Sequence, residues 1–264
     1  MHWDHLIVAL SALLVAGLTL FSGFGLGSLL LPVFALFFPL EIAVAATAIV
    51  HLANNLFKLA LVGRHASWPV ALRFGLPAVP AAFLGALLLG YVSELAPITE
   101  YSLADRTFRA TWIGILMGVL IAGFALLDIV PFFDRLQINK KYLPLGGFLS
   151  GLFGGISGHQ GALRSAFLIQ TGLSKESFIG TGVVCAVAVD FARLTIYSSL
   201  VLKDDLGALA NERALSLLAT ATVAAFLGSF LGARLMHKVT LHSLRRLVGA
   251  LLLVLGAAIA AGLV

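Results

Sequence analysis

Residues 144–172, PLGGFLSGLFGGISGHQGALRSAFLIQTG, form a long apolar stretch whose centre, Ser157-Gly158-His159-Gln160-Gly161, is polar and rich in glycine. An α-helix rises about 1.5 Å per residue and needs about 20 residues to cross the hydrocarbon core of a bilayer. The stretch is longer than one crossing needs, and glycine is a poor helix former. We therefore predict a helix that breaks at residues 157–161.

A second stretch of the same kind lies near the start of the chain. Residues 5–38 would measure about 51 Å as a single helix, and Gly23-Phe24-Gly25-Leu26-Gly27 marks the position of a break. A shift of 134 residues places Gly27 on Gly161 and Ala46-Thr47 on Gly180-Thr181. This correspondence predicts an internal repeat.

The composition defines the class of protein. Of 264 residues, 60% are hydrophobic and 11% are charged, whereas soluble domains carry about 25% charged residues. So few charges cannot cover a water-exposed surface, which excludes a soluble enzyme, a nucleic-acid binder and a disordered tail. Cys185 is the only cysteine, so an intramolecular disulfide is excluded. The sequence predicts a polytopic protein of the lipid bilayer.

Short polar segments divide the chain into apolar stretches. These are 5–38 (broken at 23–27), 42–62, 68–91, 111–131, 144–172 (broken at 157–161), 177–197, 214–236 and 247–264. Lys and Arg concentrate in the loops at 63–67, 134–141 and 237–246, which places these loops in the cytoplasm by the positive-inside rule. The loops at 92–110 and 198–213 then lie outside. Counting crossings makes both broken stretches hairpins and puts both termini on the non-cytoplasmic side.

The predicted fold is therefore all-α, a polytopic integral membrane protein of two inverted repeats. Each repeat consists of a Gly-broken helical hairpin plus three transmembrane helices, over residues 1–133 and 134–264. The first repeat begins outside and the second inside, so an axis in the membrane plane relates them. Many secondary transporters have this plan, with the substrate site near the midplane between the repeats.

The motifs of both halves resemble those of the sulfite exporter TauE/SafE family, over nearly the whole chain. In the first half they are Gly-Phe-Gly-Leu-Gly at 23–27, Leu31-Pro32, Ala45-Ala46-Thr47 and Asn54-Asn55. In the second half they are residues 154–165, Gly172-Leu173-Ser174-Lys175-Glu176 and Gly180-Thr181-Gly182. The resemblance implies export of a small sulfur oxyanion or organosulfonate across the inner membrane, without a cofactor. The chain departs from the family in having Ser165-Ala166 opposite Leu31-Pro32, and in carrying His159, Gln160 and Arg164 where many members are apolar or glycine.

A small anion is the substrate class that the glycine-rich breaks suit. A broken helix exposes backbone N–H groups, and the Arg164 guanidinium offers planar donors that match a sulfonate or sulfite. The alternatives are close helix packing for the glycines and an ion pair with Asp190 for Arg164. The amides of Asn54 and Asn55, in the 42–62 stretch, either line the cavity or join helices. The substrate-binding candidates are Gly25, Gly27, Ser28, Asn54, Asn55, Ser157, Gly158, His159, Gln160 and Arg164.

Asp190 and Arg193 are one turn apart on the 177–197 helix, where they can pair with each other. An intramembrane carboxylate is also what a proton-coupled exporter needs, and His51 is a further candidate for proton coupling or ion pairing. Lys58, near the end of its helix, is expected to snorkel to the interface. The spans contain no HExxH or paired carboxylate–His spacing, so we expect no metal and no cofactor.

Other functions fit parts of the same pattern. Two hairpins whose tips meet can form an anion channel or a permease for another small anion, and dimerisation is left open. Gly155-Ile156-Ser157-Gly158 matches the GxSG of intramembrane serine proteases, but such a site needs a His on a later membrane helix. No apolar stretch after residue 161 contains a mid-span His, so the protease is a remote alternative and we predict that the chain is not an enzyme.

Overall fold

The computed structural model describes residues 3–22, 26–103, 106–130, 138–201, 209, 211–235 and 241–263. The helices are α1 (Trp3–Ser22), α2 (Leu26–Ala35), α3 (Leu40–Val62), α4 (Trp68–Ser93), α5 (Trp112–Ile129), α6 (Leu143–Ser157), α7 (Gly161–Leu168), α8 (Lys175–Ile196), α9 (Glu212–Leu235) and α10 (Leu241–Ala260). Short 3-10 turns lie at Gly63–His65, Lys140–Tyr142 and Ile169–Thr171, and a π-turn at Tyr197–Val201 extends α8.

Each predicted apolar stretch contains helix in the part that the structure describes, which confirms the all-α polytopic fold. Within the described ranges, α3, α4, α8 and α9 are long and apolar enough to cross a membrane, and shorter apolar helices accompany them. The second predicted break is present, since α6 ends at Ser157 before α7 begins at Gly161. Around the first, α1 ends at Ser22 and α2 begins at Leu26, and residues 23–25 lie outside the described residues. Gly158 closes α6 with a φ of 80°, a left-handed conformation that glycine adopts without a steric penalty.

The second broken stretch returns to the face from which it starts. A Cβ on Gly172, at the end of this stretch, would lie 3.8 Å from the Nζ of Lys140 at its beginning. The helix that follows starts at this face too, because Gly180 of α8 packs against the backbone of residues 62–66. Helices α6 and α7 therefore form a re-entrant hairpin.

The first broken stretch is a hairpin at the opposite face. Asp4 at the start of α1 pairs with Arg213 at the start of α9, with 2.8 Å between Oδ2 and Nη2. Glu41 at the start of α3 shares a cavity with Gly262 at the end of α10. Val62 at the end of α3 lies beside Gly180 near the start of α8, and both helices are long enough to cross a membrane. The start of α3 and the end of α8, after which α9 begins, therefore lie at the opposite face. Both ends of the α1–α2 hairpin consequently lie at that face.

Glycines allow the helices to pack with their backbones in contact. Gly147, Gly151 and Gly155 of α6 lie one turn apart and face α4, where a Cβ on each would meet the backbone carbonyl of Phe74, Ala78 or Ala82. Gly228 of α9 lies in the same way against Leu13 of α1, and Gly118 of α5 against Gly256 of α10. Small residues serve this purpose in membrane helices, where packing replaces the hydrophobic effect.

Replacing Gly151 with alanine is expected to destabilise the protein. The new methyl group would meet the carbonyl of Ala78, and such overpacking costs about 1–3 kcal/mol. Gly75 of α4 provides the control because its Cβ position has nothing within 4 Å, so Gly75→Ala should leave stability unchanged or raise it. Thermal unfolding in detergent measures both variants, and equal midpoints for the two would contradict the packing.

The loop predicted at 92–110 contains two strands that the sequence did not predict. Strands β1 (Thr99–Leu103) and β2 (Arg106–Ala110) pair as an antiparallel hairpin, from Thr99 opposite Ala110 to Leu103 opposite Arg106. The Tyr101 hydroxyl donates to the carbonyl of Ala261 at 2.6 Å. The hairpin is thereby fixed over the end of α10.

Candidate functional site

The tips of the two hairpins meet inside the protein. A Cβ on Gly27, in the first turn of α2, would lie 3.3 Å from the carbonyl oxygen of Gly158 at the end of α6. The Gly158 carbonyl accepts a hydrogen bond from the Gln160 backbone N–H at 2.9 Å. We call the region between Gly27 and Gly158 the tip crossing. It lies beside α3 and α8, which carry most of the buried polar side chains.

Asp190 of α8 is the centre of this polar cluster and is completely buried. Its Oδ2 lies 2.6 Å from Nδ1 of His51 and accepts a hydrogen bond from Asn55 at 3.0 Å. Its Oδ1 accepts from Nε of Arg193 at 3.0 Å, with Nη2 of the same residue at 2.8 Å. The carboxylate thus joins α3 to α8 and has the charged partner that a buried ion requires.

Gln160 links the second tip to this carboxylate. Its Nε2 donates to Oδ1 of Asp190 at 3.1 Å, and its Oε1 accepts from Nη1 of Arg164 at 3.0 Å. Arg164 therefore reaches Asp190 through Gln160, and the direct Arg164–Asp190 ion pair considered as an alternative does not form. Gly182 of α8 lies beside the guanidinium, since a Cβ there would be 3.5 Å from Nε of Arg164, in ordinary van der Waals contact.

Lys58 does not snorkel to the interface, and that expectation was wrong. Its side chain is 7% exposed, and its ammonium lies 3.2 Å from the amide oxygen of Asn54 when this amide is oriented to satisfy its neighbours. The amide nitrogen then donates to Ser229 of α9 at 2.8 Å. Asn54 consequently joins α3 to α9, while Asn55 faces α8.

The cluster carries excess positive charge. Within the described part of the chain, Lys58 and Arg164 have no carboxylate partner, while Arg193 is neutralised by Asp190. The Lys58 and Arg164 charges are close enough to interact with each other. Buried charges without counter-ions are costly, so this region suits an anion.

His159, next to Gly158, is buried against α5. Its ring stacks on Phe124 with 5.4 Å between centroids, and its Nδ1 lies 2.9 Å from Oγ of Ser157. The Ser157 hydroxyl donates to the carbonyl of Phe153 at 3.1 Å. A protease would need a third group to orient the His, and among the residues with described positions Nε2 of His159 has no partner.

The structure brings together His51, Asn55, Gln160, Arg164, Asp190 and Arg193, with Ser157, Gly158 and His159 at the adjoining tip. Of the candidates in the first tip, Gly27 lies beside Gly158 at the tip crossing. Gly25 and the side chain of Ser28 lie outside the described residues. Ser150, which was not among the candidates, donates to the Gln160 carbonyl at 3.0 Å and holds the second tip. Over the residues the structure describes, no group of three or more His, Cys, Asp or Glu could hold a metal ion.

Broken helices that meet beside a buried polar cluster are typical of secondary transporters. The family model of the sulfite exporter TauE/SafE family matches residues 8–259, and the chain belongs to this family. It is therefore a multi-pass membrane protein of a transporter family, and family membership points to the export of sulfite or another anion. Members of the family are transporters, not enzymes. A comparison with proteins of curated function found no match to this chain.

Proposed function

We propose that the protein is a secondary transporter of the inner membrane that exports a small sulfur-containing anion, such as sulfite, a sulfonate or a related organosulfur anion. One observation carries the proposal: the cluster beside the tip crossing has three cations, the buried Lys58 and Arg193 and the half-buried Arg164, and Asp190 is its one carboxylate among the described residues. An anion with one or two negative charges would balance this excess. Family membership supplies the sulfur chemistry.

The substrate would enter between Lys58 and Arg164. Arg164 uses Nη1 for Gln160, which leaves other guanidinium donors for the oxygens of a sulfonate or sulfite. The buried ammonium of Lys58 adds a second positive charge. The amide oxygen of Gln160 accepts a hydrogen bond from Arg164 and thereby fixes the orientation of the guanidinium.

The helix pairing supports alternating access between two inverted repeats, at 1–133 and 134–264. Helix α1 packs on α9 as α6 packs on α4, and the pairs α5–α10 and α3–α8 each join one helix of either half. If the two halves are exchanged, the α1–α9 pair becomes the α6–α4 pair, and the α5–α10 and α3–α8 pairs are unchanged. We propose that one repeat rocks against the other around the tip crossing, exposing the cluster to each side in turn.

We place the face with Asp4, Arg213 and the β-hairpin outside the cell. The basic loops at 63–67 and 134–141 and the start of α8 then lie in the cytoplasm, as the positive-inside rule favours. In this orientation both termini lie on the non-cytoplasmic side. Lys58, four residues before the cytoplasmic end of α3, lies on the side from which an exported anion enters.

Proton coupling through Asp190 is part of the proposal. The carboxylate faces His51 and Asn55 of α3, Gln160 of the second tip and Arg193 of its own helix, so its charge affects both helices. We expect acidification of the outer side to increase export by wild-type protein, and Asp190→Asn to bind the anion but transport it independently of the pH gradient. Efflux of the anion from loaded, right-side-out proteoliposomes at several external pH values measures this. Unchanged pH dependence in a folded Asp190→Asn protein would remove Asp190 from the coupling.

A panel of anions tests the substrate class. Purified protein in proteoliposomes is offered sulfite, sulfate, thiosulfate, taurine and sulfoacetate. We expect saturable flux for at least one sulfur anion, with taurine, which has no net charge at neutral pH, transported less well than sulfoacetate. Flux that rises linearly with concentration would favour an anion channel instead. Flux of carboxylates alone would favour a permease for another small anion.

A further inference from the structure

Three buried side chains have polar atoms without a hydrogen-bond partner among the described residues. They are Oγ1 of Thr47, Nε2 of His159 and Nη1 of Arg193, on side chains that are 1%, 2% and 0% exposed. The Thr47 hydroxyl and Nη1 of Arg193 can each donate a hydrogen bond. Because Nδ1 of His159 donates to Ser157, whose own proton goes to Phe153, Nε2 donates only when the His159 ring is protonated. Buried donors are nearly always satisfied in native proteins, so each such atom requires an explanation.

All three residues border the tip crossing. The Cβ position of Gly27 lies 3.7 Å from Cγ2 of Thr47, and the Cβ position of Gly158 lies 2.6 Å from Nη1 of Arg193. His159 follows Gly158 directly. The three residues belong to α3, the second tip and α8, so they border the crossing on separate elements, and Arg193 does so with its donor atom Nη1.

Arg193 is held so that one end of its guanidinium faces the crossing. Its Nε donates to Asp190 at 3.0 Å and its Nη2 lies 2.8 Å from the same carboxylate oxygen. The Tyr197 hydroxyl also lies beside the guanidinium, but it donates its proton to the carbonyl of Gly155. Nη1 therefore points to the tip with its hydrogen atoms unused.

We propose that Thr47, His159 and Arg193 bind the oxygens of the transported anion at the tip crossing. This inference rests on the proposed function and extends it, because it assigns Arg193 to substrate binding and adds Thr47. With the His159 ring protonated, the three residues supply one donor for each of the three oxygens of a sulfite or sulfonate group. Partial positive charge on each donor favours an oxyanion over a neutral ligand.

The tip crossing is a second binding site for the anion, separate from the site at Lys58 and Arg164. We call the site at Lys58 and Arg164 the first station and the tip crossing the second station. Thr47 and Lys58 are on the same helix and 11 residues apart, which is about 16 Å along its axis. Gln160 joins the two stations, since it contacts both Arg164 and Asp190. The anion would pass from the first station to the second, and two weaker sites release a substrate more readily than one tight site.

Thr47→Val tests the second station without removing a described hydrogen bond. Valine has the shape of threonine without its hydroxyl, so a structural role predicts unchanged stability and unchanged affinity. We expect about tenfold weaker binding of sulfite, the loss typical of one hydrogen bond to a charged group, with an unchanged melting temperature. Isothermal titration of the full-length protein in detergent with sodium sulfite measures the affinity.

Thr181→Val is the matched control in the second half of the chain. The Thr181 hydroxyl accepts a hydrogen bond from the Ser67 backbone N–H at 2.9 Å, far from the crossing. We expect this variant to melt at a lower temperature and to bind sulfite with wild-type affinity, the reverse of Thr47→Val. Arg193→Lys, which keeps the charge but loses the guanidinium, should bind sulfite at least tenfold more weakly.

Two results would overturn the inference, and they are distinguishable. If wild-type protein binds sulfite and Thr47→Val binds it equally well, the second station is wrong while the proposed function stands. If folded wild-type protein binds neither sulfite nor sulfoacetate, the proposed function fails and the second station fails with it.

Discussion

Replacing Arg164 with alanine will weaken binding of the sulfur anion by about 10- to 100-fold and abolish saturable transport at low substrate concentration. Arg164 contacts Gln160 but has no carboxylate partner in the described parts of the structure, so its charge is available to the substrate. A hydrogen bond to a charged group contributes about 1.5–3 kcal/mol, and losing this energy weakens binding by about 10- to 100-fold. Titration of the purified variant with sulfite measures the loss.

Arg213→Ala is the control for Arg164→Ala. Arg213 pairs with Asp4 where α1 and α9 begin, and its side chain is 71% exposed. It lies outside the buried cluster, so its replacement should leave the affinity for sulfite unchanged. Equal affinities for the Arg164→Ala and wild-type proteins, with both folded, would show that Arg164 is not a substrate ligand.

Asp190→Asn will lower the free energy of unfolding by about 3–5 kcal/mol, the cost of leaving one member of a buried ion pair without its partner. The change leaves the Arg193 guanidinium, which is completely buried, without a counter-ion. Replacing both residues, as Asp190→Asn with Arg193→Gln, should recover much of the loss because no uncompensated charge remains. Chemical or thermal unfolding in detergent compares the two variants.

The exposed pair of the β-hairpin is the control for this measurement. Glu100 and Arg109 lie 2.7 Å apart, and their side chains are 50% and 66% exposed. Water screens such pairs, which contribute about 0–1 kcal/mol, so Glu100→Gln should change stability little. If Asp190→Asn were no more destabilising than Glu100→Gln, the ion pair would not be the structural connection between α3 and α8.

The sequence predicted the helices and their breaks because these depend on local features. Long apolar runs predict spans, and the glycines at 23–27 and 157–161 predict breaks. The β-hairpin at 99–110 was missed, since it is a short polar segment whose stability depends on contact with the end of α10. The inverted repeat stays a prediction, supported by the shift of 134 residues and by the helix pairing.

The sequence predicted which residues belong to the site better than it predicted the contacts between them. The sequence identified Asp190, Arg193, Gln160 and Arg164, but the bridge through Gln160 depends on how a hairpin tip packs against α8. Asn54 and Asn55 were grouped together, yet successive residues of a helix point about 100° apart, and they contact different helices. No sequence pattern reveals that a hydroxyl such as that of Thr47 has no partner.

The concentration dependence of sulfite-induced current across proteoliposomes, measured for wild-type and Arg164→Ala proteins, tests the central claim most directly. If the cationic cluster beside the tip crossing binds and carries the anion, the wild-type current will saturate and the Arg164→Ala current will be near background at the same concentrations. A current that grows linearly without saturation, or one that Arg164→Ala leaves unchanged, would contradict the claim.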